Sequence, residues 1–392
     1  MDTTAVENRI LELCIYVKKI EMIVKDDSFY AIVYPDFEVL KKNNIINIQS
    51  EIRWYGIELY NMEVEDSQKI RAFEIVHERV DSTQENPNDP LYLALISFIA
   101  TLSDKTIFYY SHLELDLELD SLNYVELFVF VEESFGVHID EKIFSKMMRI
   151  DELYKYIKEN QNKFEKVSIE WRDILDKKIN YKLIYSPIII SLFKIFLLPF
   201  FKLYFSLEVK GKENILQTSS IIAPNHQSML DGFLVLATLP FDVLKRSFFV
   251  SFKQVFGKGI LKPIAKHGQN ILIDANENII QTLQFSSTPL KEGSNLVIFP
   301  EGARSRDKQL LEFRPFYAIL SQTYKTPIIP VVIEGAYDAL KTGSIFPLPK
   351  KIRVTYLKPI YPKGMSYEEI NVRVREAIEK ESITLKPHPP HS

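Results

Sequence analysis

Short apolar runs recur through residues 181–392, at 219–223, 246–251, 270–274, 295–299, 328–333 and 351–357, with helical pattern between them. Runs of that length alternating with helices predict an α/β domain built on a largely parallel sheet. The earlier chain reads differently. Residues 86–160 look all-helical. Residues 1–80 open with a helix from Val6 to Tyr16, continue with a strand pair around Ile20–Lys25 and Tyr30–Tyr34, and then show helical pattern near 37–60. A chain of 392 residues is long enough for two or three domains. Polar, turn-forming stretches at 81–90 and 160–180 supply the breaks. The expected layout is multidomain α+β: a small α+β domain over 1–85, a four-helix bundle over 86–160, a linker over 161–184 and an α/β domain over 185–392.

Charge divides along the same line. Residues 1–180 hold 21 Lys+Arg against 35 Asp+Glu, a balance of −14; the remaining 27 basic and 17 acidic residues give the second half +10. An acidic half joined to a basic one implies different partners. The basic half suits anionic lipid or phosphate, and no basic run interleaved with aromatics points to nucleic acid. The single cysteine, Cys14, excludes an internal disulfide and fits a reducing compartment. The N-terminus shows no basic and apolar pattern of a secretory signal.

The chemistry concentrates after two of the expected strands. Pro224 ends the run at 219–223, and Asn225-His226-Gln227-Ser228-Met229-Leu230-Asp231 follows. A histidine at a strand end can take a proton from an alcohol near neutral pH, and a carboxylate on its second ring nitrogen would fix the tautomer. Taken alone, the heptapeptide equally suits a turn histidine and a helix-capping aspartate. After the run at 295–299 comes Phe299-Pro300-Glu301-Gly302-Ala303-Arg304-Ser305-Arg306. A glycine turn with two arginines, and Arg314 beyond it, reads as a phosphate cradle or as a solvated loop.

In this order, and with Ile329-Pro330-Val331 after them, these segments resemble the glycerolipid acyltransferases, the 1-acylglycerol-3-phosphate acyltransferases and their relatives, over roughly 185–385. Lys253 matches a lysine of that family. The resemblance implies one-step transfer without a metal. His226 would act as general base on the acceptor hydroxyl and Asp231 would orient it. Lys253, Glu301, Gly302, Arg304, Arg306 and Pro330 would bind substrate, with Glu301, Gly302 and Arg304 positioning the acceptor phosphate. One departure is Ala275, which follows Ile273-Asp274 where lysophosphatidate enzymes carry an arginine. Lys266 or His267 would have to compensate, or the acceptor is another lysophospholipid, such as lysophosphatidylethanolamine, or an amino-lipid.

Residues 187–206 are apolar over a bilayer-spanning length, but Lys194 and Lys202 interrupt them and Pro199 breaks them. Two short helices in one leaflet, a hairpin with snorkelling lysines, are expected, with a buried soluble hairpin as the alternative. The resemblance implies a peripheral or monotopic protein on the cytoplasmic face of the inner membrane.

Asp120-Ser121-Leu122 opens an expected helix, with Leu122, Val125 and Phe128 on its buried side. A serine there is ordinarily a cap. With the apolar helix at 90–102, a long loop, and Val137-His138-Ile139-Asp140 before a closing helix at 150–158, residues 86–160 resemble an acyl carrier protein. That resemblance implies 4'-phosphopantetheine on Ser121, attached by a phosphopantetheinyl transferase. It also implies a thioester donor, carrier-borne or acyl-CoA, offered across a linker at an effective concentration on the order of mM. Residues 1–80 resemble the C-terminal lid of acyl-adenylate-forming synthetases without the ATP-binding domain, implying a non-catalytic docking piece for a loading synthetase. A carrier or scaffold protein with a degenerate transferase domain is the non-enzymatic alternative.

Overall fold

The structure, a computed structural model, describes residues 3–25, 28–65, 68–77, 87–164, 170–177, 179, 181–252, 265, 267–273, 279–305, 308–341 and 346–384. The chain divides between Glu170 and Trp171 into two compact units.

The first unit holds both early blocks. Helix α1 (Thr3–Leu13) precedes strands β1 (Val17–Lys25) and β2 (Ser28–Pro35). These pair antiparallel, and β3 (Ile70–Ile75) adds in parallel to β2. Short helices α2 (Phe37–Lys42), α3 (Ile48–Ile52) and α4 (Glu58–Glu63) cover the sheet's core of Ile10, Val33, Ile48 and Ile52. Helices α5 (Pro90–Leu102), α6 (Ser121–Phe135), α7 (Glu141–Phe144) and α8 (Ile150–Asn160) form the second block. Asp89 caps α5 through the Leu91 N–H and also accepts from Tyr154 Oη (2.7 Å) and Lys158 Nζ (2.9 Å), closing α8 onto α5.

The two blocks on either side of 81–90 fall within one compact unit and share hydrogen bonds. Both carboxylate oxygens of Glu114 accept the Ile48 and Gln49 N–H groups (2.7 and 2.9 Å), supplying the cap that α3 lacks in its own sequence. His77 Nε2 meets Asp116 Oδ1 at 3.1 Å. Satisfying a bare helix terminus across the boundary ties the blocks together.

The second unit begins within the expected linker: α9 (Trp171–Asp176) belongs to it, with Ile174 and Leu175 buried. Gln284 donates to Ile174 O (2.8 Å). A seven-stranded sheet follows, in the order β4 (Glu208–Lys210), β10 (Arg353–Tyr356), β9 (Ile328–Glu334), β5 (Ile221–Pro224), β8 (Asn295–Val297), β6 (Ser247–Phe252) and β7 (Asn270–Ile273). The pairs β9–β5, β5–β8, β8–β6 and β6–β7 are parallel; β10 runs antiparallel to β9. The six expected strands are present, and β4 at the edge is additional. Helices α11 (Asp231–Thr238), α12 (Phe241–Leu244), α13 (Ile279–Lys291), α14 (Phe316–Tyr324), α15 (Ala336–Ala339) and α16 (Tyr367–Thr384) complete the unit.

The expected helical hairpin is instead one helix, α10 (Pro187–Tyr204), running through Pro199. Its lysine explains the difference. Lys194 is 6% exposed. Its ammonium turns inward and donates to Ala237 O (2.9 Å) and to Leu239 O at the C-terminus of α11, lying 5.0 Å from the Phe241 ring. A cation on the last carbonyls of a helix meets the negative end of its dipole. With the charge satisfied inside, the helix need not break to free it. Ile190, Lys194 and Phe201 face inward, while Ile188, Leu192, Ile195, Phe196, Phe200 and Leu203 form an exposed stripe.

Candidate active site

Because β9, β5 and β8 are parallel neighbours, the loops after all three leave one edge of the sheet. That edge, the carboxyl end of the strands, is where open α/β sheets build sites. The loop after β5 carries His226, the loop after β8 carries Glu301, and the turn after β9 carries Gly335.

Asn225, His226 and Ser228 of the first loop each have a defined side-chain partner. Asn225 prolongs the β5–β9 ladder with a side chain: its Nδ2 donates to Ile333 O (3.1 Å) and its Oδ1 accepts the Ile333 N–H (2.6 Å). Ser228 Oγ donates to Leu340 O (2.8 Å). Asp231, the first residue of α11, is fully buried. Its Oδ2 accepts from His226 Nδ1 (2.9 Å) and from the Gln227 and Ser228 N–H groups (2.6 and 2.8 Å). An ionised carboxylate only accepts, so in the neutral ring Nδ1 carries the proton and Nε2 keeps its lone pair. The His226 ring is 21% exposed and lies against Phe299, with centroids 4.0 Å apart. The pair expected at a five-residue offset is therefore formed, with the Asp231 carboxylate on the imidazole as well as on two backbone N–H groups of its own loop.

The second loop grips the first. Glu301 Oε1 accepts the His226 N–H (2.6 Å) and Oε2 accepts the Leu311 N–H (2.8 Å), while the Ser305 N–H donates to His226 O (2.8 Å). His226 is thus held at both backbone polar atoms. Glu301 is 4% exposed, and burial pushes its carboxyl up to about 7 against the two N–H bonds that favour the charged form. The family resemblance implies Glu301 on an acceptor phosphate. Buried, and with both oxygens spent on backbone donors, it is placed as a strut.

Gly302 has φ +64°, the left-handed region, and its N–H donates to Phe299 O (3.1 Å). A Cβ there would find only ordinary contact with Arg314, so it is the turn that requires glycine. Arg304 lies between that turn and Ser305, and Arg314 is anchored by its N–H to Pro300 O (2.8 Å). Pro330 is buried inside β9, in register with Ala223, and its carbonyl accepts from the Leu357 N–H (2.9 Å). It is placed as a sheet residue next to the strand that leads into the His226 loop. Lys253, Lys266, Ala275 and Arg306 lie outside the described residues. Ser121 stands in the other unit as the first residue of α6, half-buried. Before it, Asp120 accepts the Leu122 and Asn123 N–H groups and Asn123 accepts the Asp120 N–H.

Sequence reasoning did not single out Asn225, Ser228 or Phe299. Their partners are remote in sequence or are rings, and the motif's own spelling was the one available signal.

Residues 206–334 match the family model described as Acyltransferase. Among curated proteins, the 1-acyl-sn-glycerol-3-phosphate acyltransferase of Limnanthes douglasii is 28% identical over 172 residues, 43% of this chain and 59% of that protein. That of Cocos nucifera is 28% identical over 166 residues, 42% of this chain and 52% of that protein. The enzyme of Saccharomyces cerevisiae is 28% identical over 202 residues, 47% and 62%. This chain thus spans between about half and six-tenths of the relatives it matches. A solved structure, the 1-acyl-sn-glycerophosphate acyltransferase PlsC of Thermotoga maritima, is similar at a TM-score of 0.45 and 25% identity, over 52% of this chain and 82% of that one.

Proposed function

We propose that the chain is a membrane-associated acyltransferase that moves a fatty acyl group from a thioester to the free hydroxyl of 1-acylglycerol-3-phosphate. The observation that carries this reading is His226 Nδ1 on the buried Asp231 carboxylate at 2.9 Å. The names of the relatives support the substrate class.

In this mechanism His226 Nε2 takes the hydroxyl proton as the acceptor oxygen attacks the thioester carbonyl carbon. The C–O bond forms, the C–S bond breaks, and the departing thiolate takes the proton back from the imidazolium. Asp231 holds the tautomer and steadies that cation. Such base catalysis contributes roughly 10²–10⁴-fold. Arg304 and Arg314 hold the acceptor phosphate at the turn around Gly302. The exposed stripe of α10 lies in the headgroup and acyl boundary of one leaflet, and the +10 balance of the second half adds attraction to anionic lipid. Ser121 carries phosphopantetheine, and the thiol of that arm holds the donor acyl group.

The test is transfer from labelled acyl thioester to a panel of lysolipids. His226→Ala is expected to abolish transfer with an unchanged circular dichroism spectrum. Substantial residual turnover in that variant removes the assignment.

A further inference from the structure

A cleft of about 390 Å³ opens beside α15, lined by Gly335, Asp338, Lys341, Leu348, Lys350 and Lys351. Some of its charges are already matched. Lys308 pairs with Asp338 at 2.7 Å, and Lys351 pairs with Glu208 at 3.2 Å. Lys341 and Lys350 are exposed and have no ion partner among the described residues. The cleft therefore presents unmatched positive charge.

Its two borders differ in character. On one side lies apolar surface: Leu348 in the wall is 53% exposed, Phe346 is 81% exposed, and Tyr204 Oη of α10 donates to Pro347 O (2.9 Å). The apolar stripe of α10 thus ends at this rim. On the other side Ser228 Oγ of the catalytic loop holds Leu340 O, one residue before Lys341.

We propose that this cleft binds the phosphate-bearing headgroup of a bilayer phospholipid, separate from the acceptor being acylated. Lysine ammoniums are compact point charges that suit a phosphate approaching from variable directions. A soluble anion would gain nothing from the apolar rim, whereas a phospholipid has acyl chains to lay against Leu348, Phe346 and the outer face of α10. Held there, the headgroup sets the catalytic edge of the sheet against the membrane surface. The proposal rests on the membrane reading above.

The full chain is tested by sedimentation with vesicles of phosphatidylcholine alone and of phosphatidylcholine with phosphatidylglycerol. Wild type is expected to bind both, and the mixed vesicles more tightly. Lys341→Glu/Lys350→Glu should leave binding to phosphatidylcholine alone unchanged and remove most of the gain from the anionic lipid. The expected weakening on mixed vesicles is on the order of ten-fold or more. Lys358→Glu/Lys363→Glu, which changes the charge of the same unit equally at exposed sites outside the cleft, should keep the gain. Equal loss in both pairs, or none in the cleft pair, overturns the proposal. So does a raised KM for a short-chain soluble acceptor in the cleft pair, since the cleft would then be the acceptor's own site. Wild type that binds neither vesicle refutes the membrane reading itself; binding to both without an anionic difference refutes the cleft alone.

Discussion

At the scale of single residues, the site separates chemistry from positioning. In the proposed mechanism one ring nitrogen of His226 is left for the reaction, and the atoms around it spend their hydrogen bonds holding that ring still. Asp231 Oδ2 takes three donors, and Glu301 takes two. Such struts act through geometry, so removing one lowers the rate of the bound complex more than the affinity for substrate. In Glu301→Gln, the amide can accept one of the two backbone N–H groups but must oppose the other with its own NH₂. Steady-state kinetics should show kcat reduced roughly 10–100-fold, the cost of one unmade buried hydrogen bond, with the acceptor KM little changed. A dominant rise in acceptor KM would return Glu301 to the phosphate.

At the scale of elements, α10 and α11 act together. α11 begins with Asp231, and its last carbonyls receive the ammonium of Lys194 from α10. The helix with the exposed apolar outer face is therefore pinned to the helix that begins with Asp231. Burial lowers Lys194 to about 8, with Lys212 and Lys202 adding like-charge repulsion. A lysine whose folded value lies below its ordinary 10.5 penalises the fold while protonated. The penalty is full below about 8 and fades as pH rises toward 10.5. Relative to Lys194→Met, which has no such titration, wild-type melting temperature is expected to gain on the order of a few degrees across that window. Parallel melting curves of the two proteins against pH would contradict the buried-charge description.

At the scale of the whole molecule, the acidic and basic halves coincide closely with the two compact units. Last-helix Asn160 and first-helix Trp171 bound the covalent connection, which is shorter than the linker expected from composition, because α9 packs into the second unit. A carrier function for Ser121 predicts a chemical mark. Intact mass after co-expression with a phosphopantetheinyl transferase should show a phosphopantetheine adduct on wild type and none on Ser121→Ala. An unmodified wild type would leave Ser121 as only the first residue of a capped helix. A phosphodiester at that position would sit at the positive end of the α6 dipole, a favourable place for it.

The local patterns of the chain were sufficient for the strands of the α/β sheet, the two loops bearing His226 and Glu301, and the helical reading of 86–160. Each of these depends on periodicity and on turn residues within a few positions of one another. The sequence could not supply the partners that turn a motif into a site. Asn225 meets Ile333, Ser228 meets Leu340 and His226 meets Glu301 across 108, 112 and 75 residues. Those meetings exist because β9, β5 and β8 lie side by side in the sheet. The same limit explains α10. Proline and lysine in an apolar run read locally as a break and a snorkelling charge. Only the packed C-terminus of α11, whose carbonyls accept from the ammonium, offsets enough of the burial cost to take the lysine inside and keep the helix whole. Hydrogen-bonding needs are written in the residue types, but which distant atom meets them is decided by strand order.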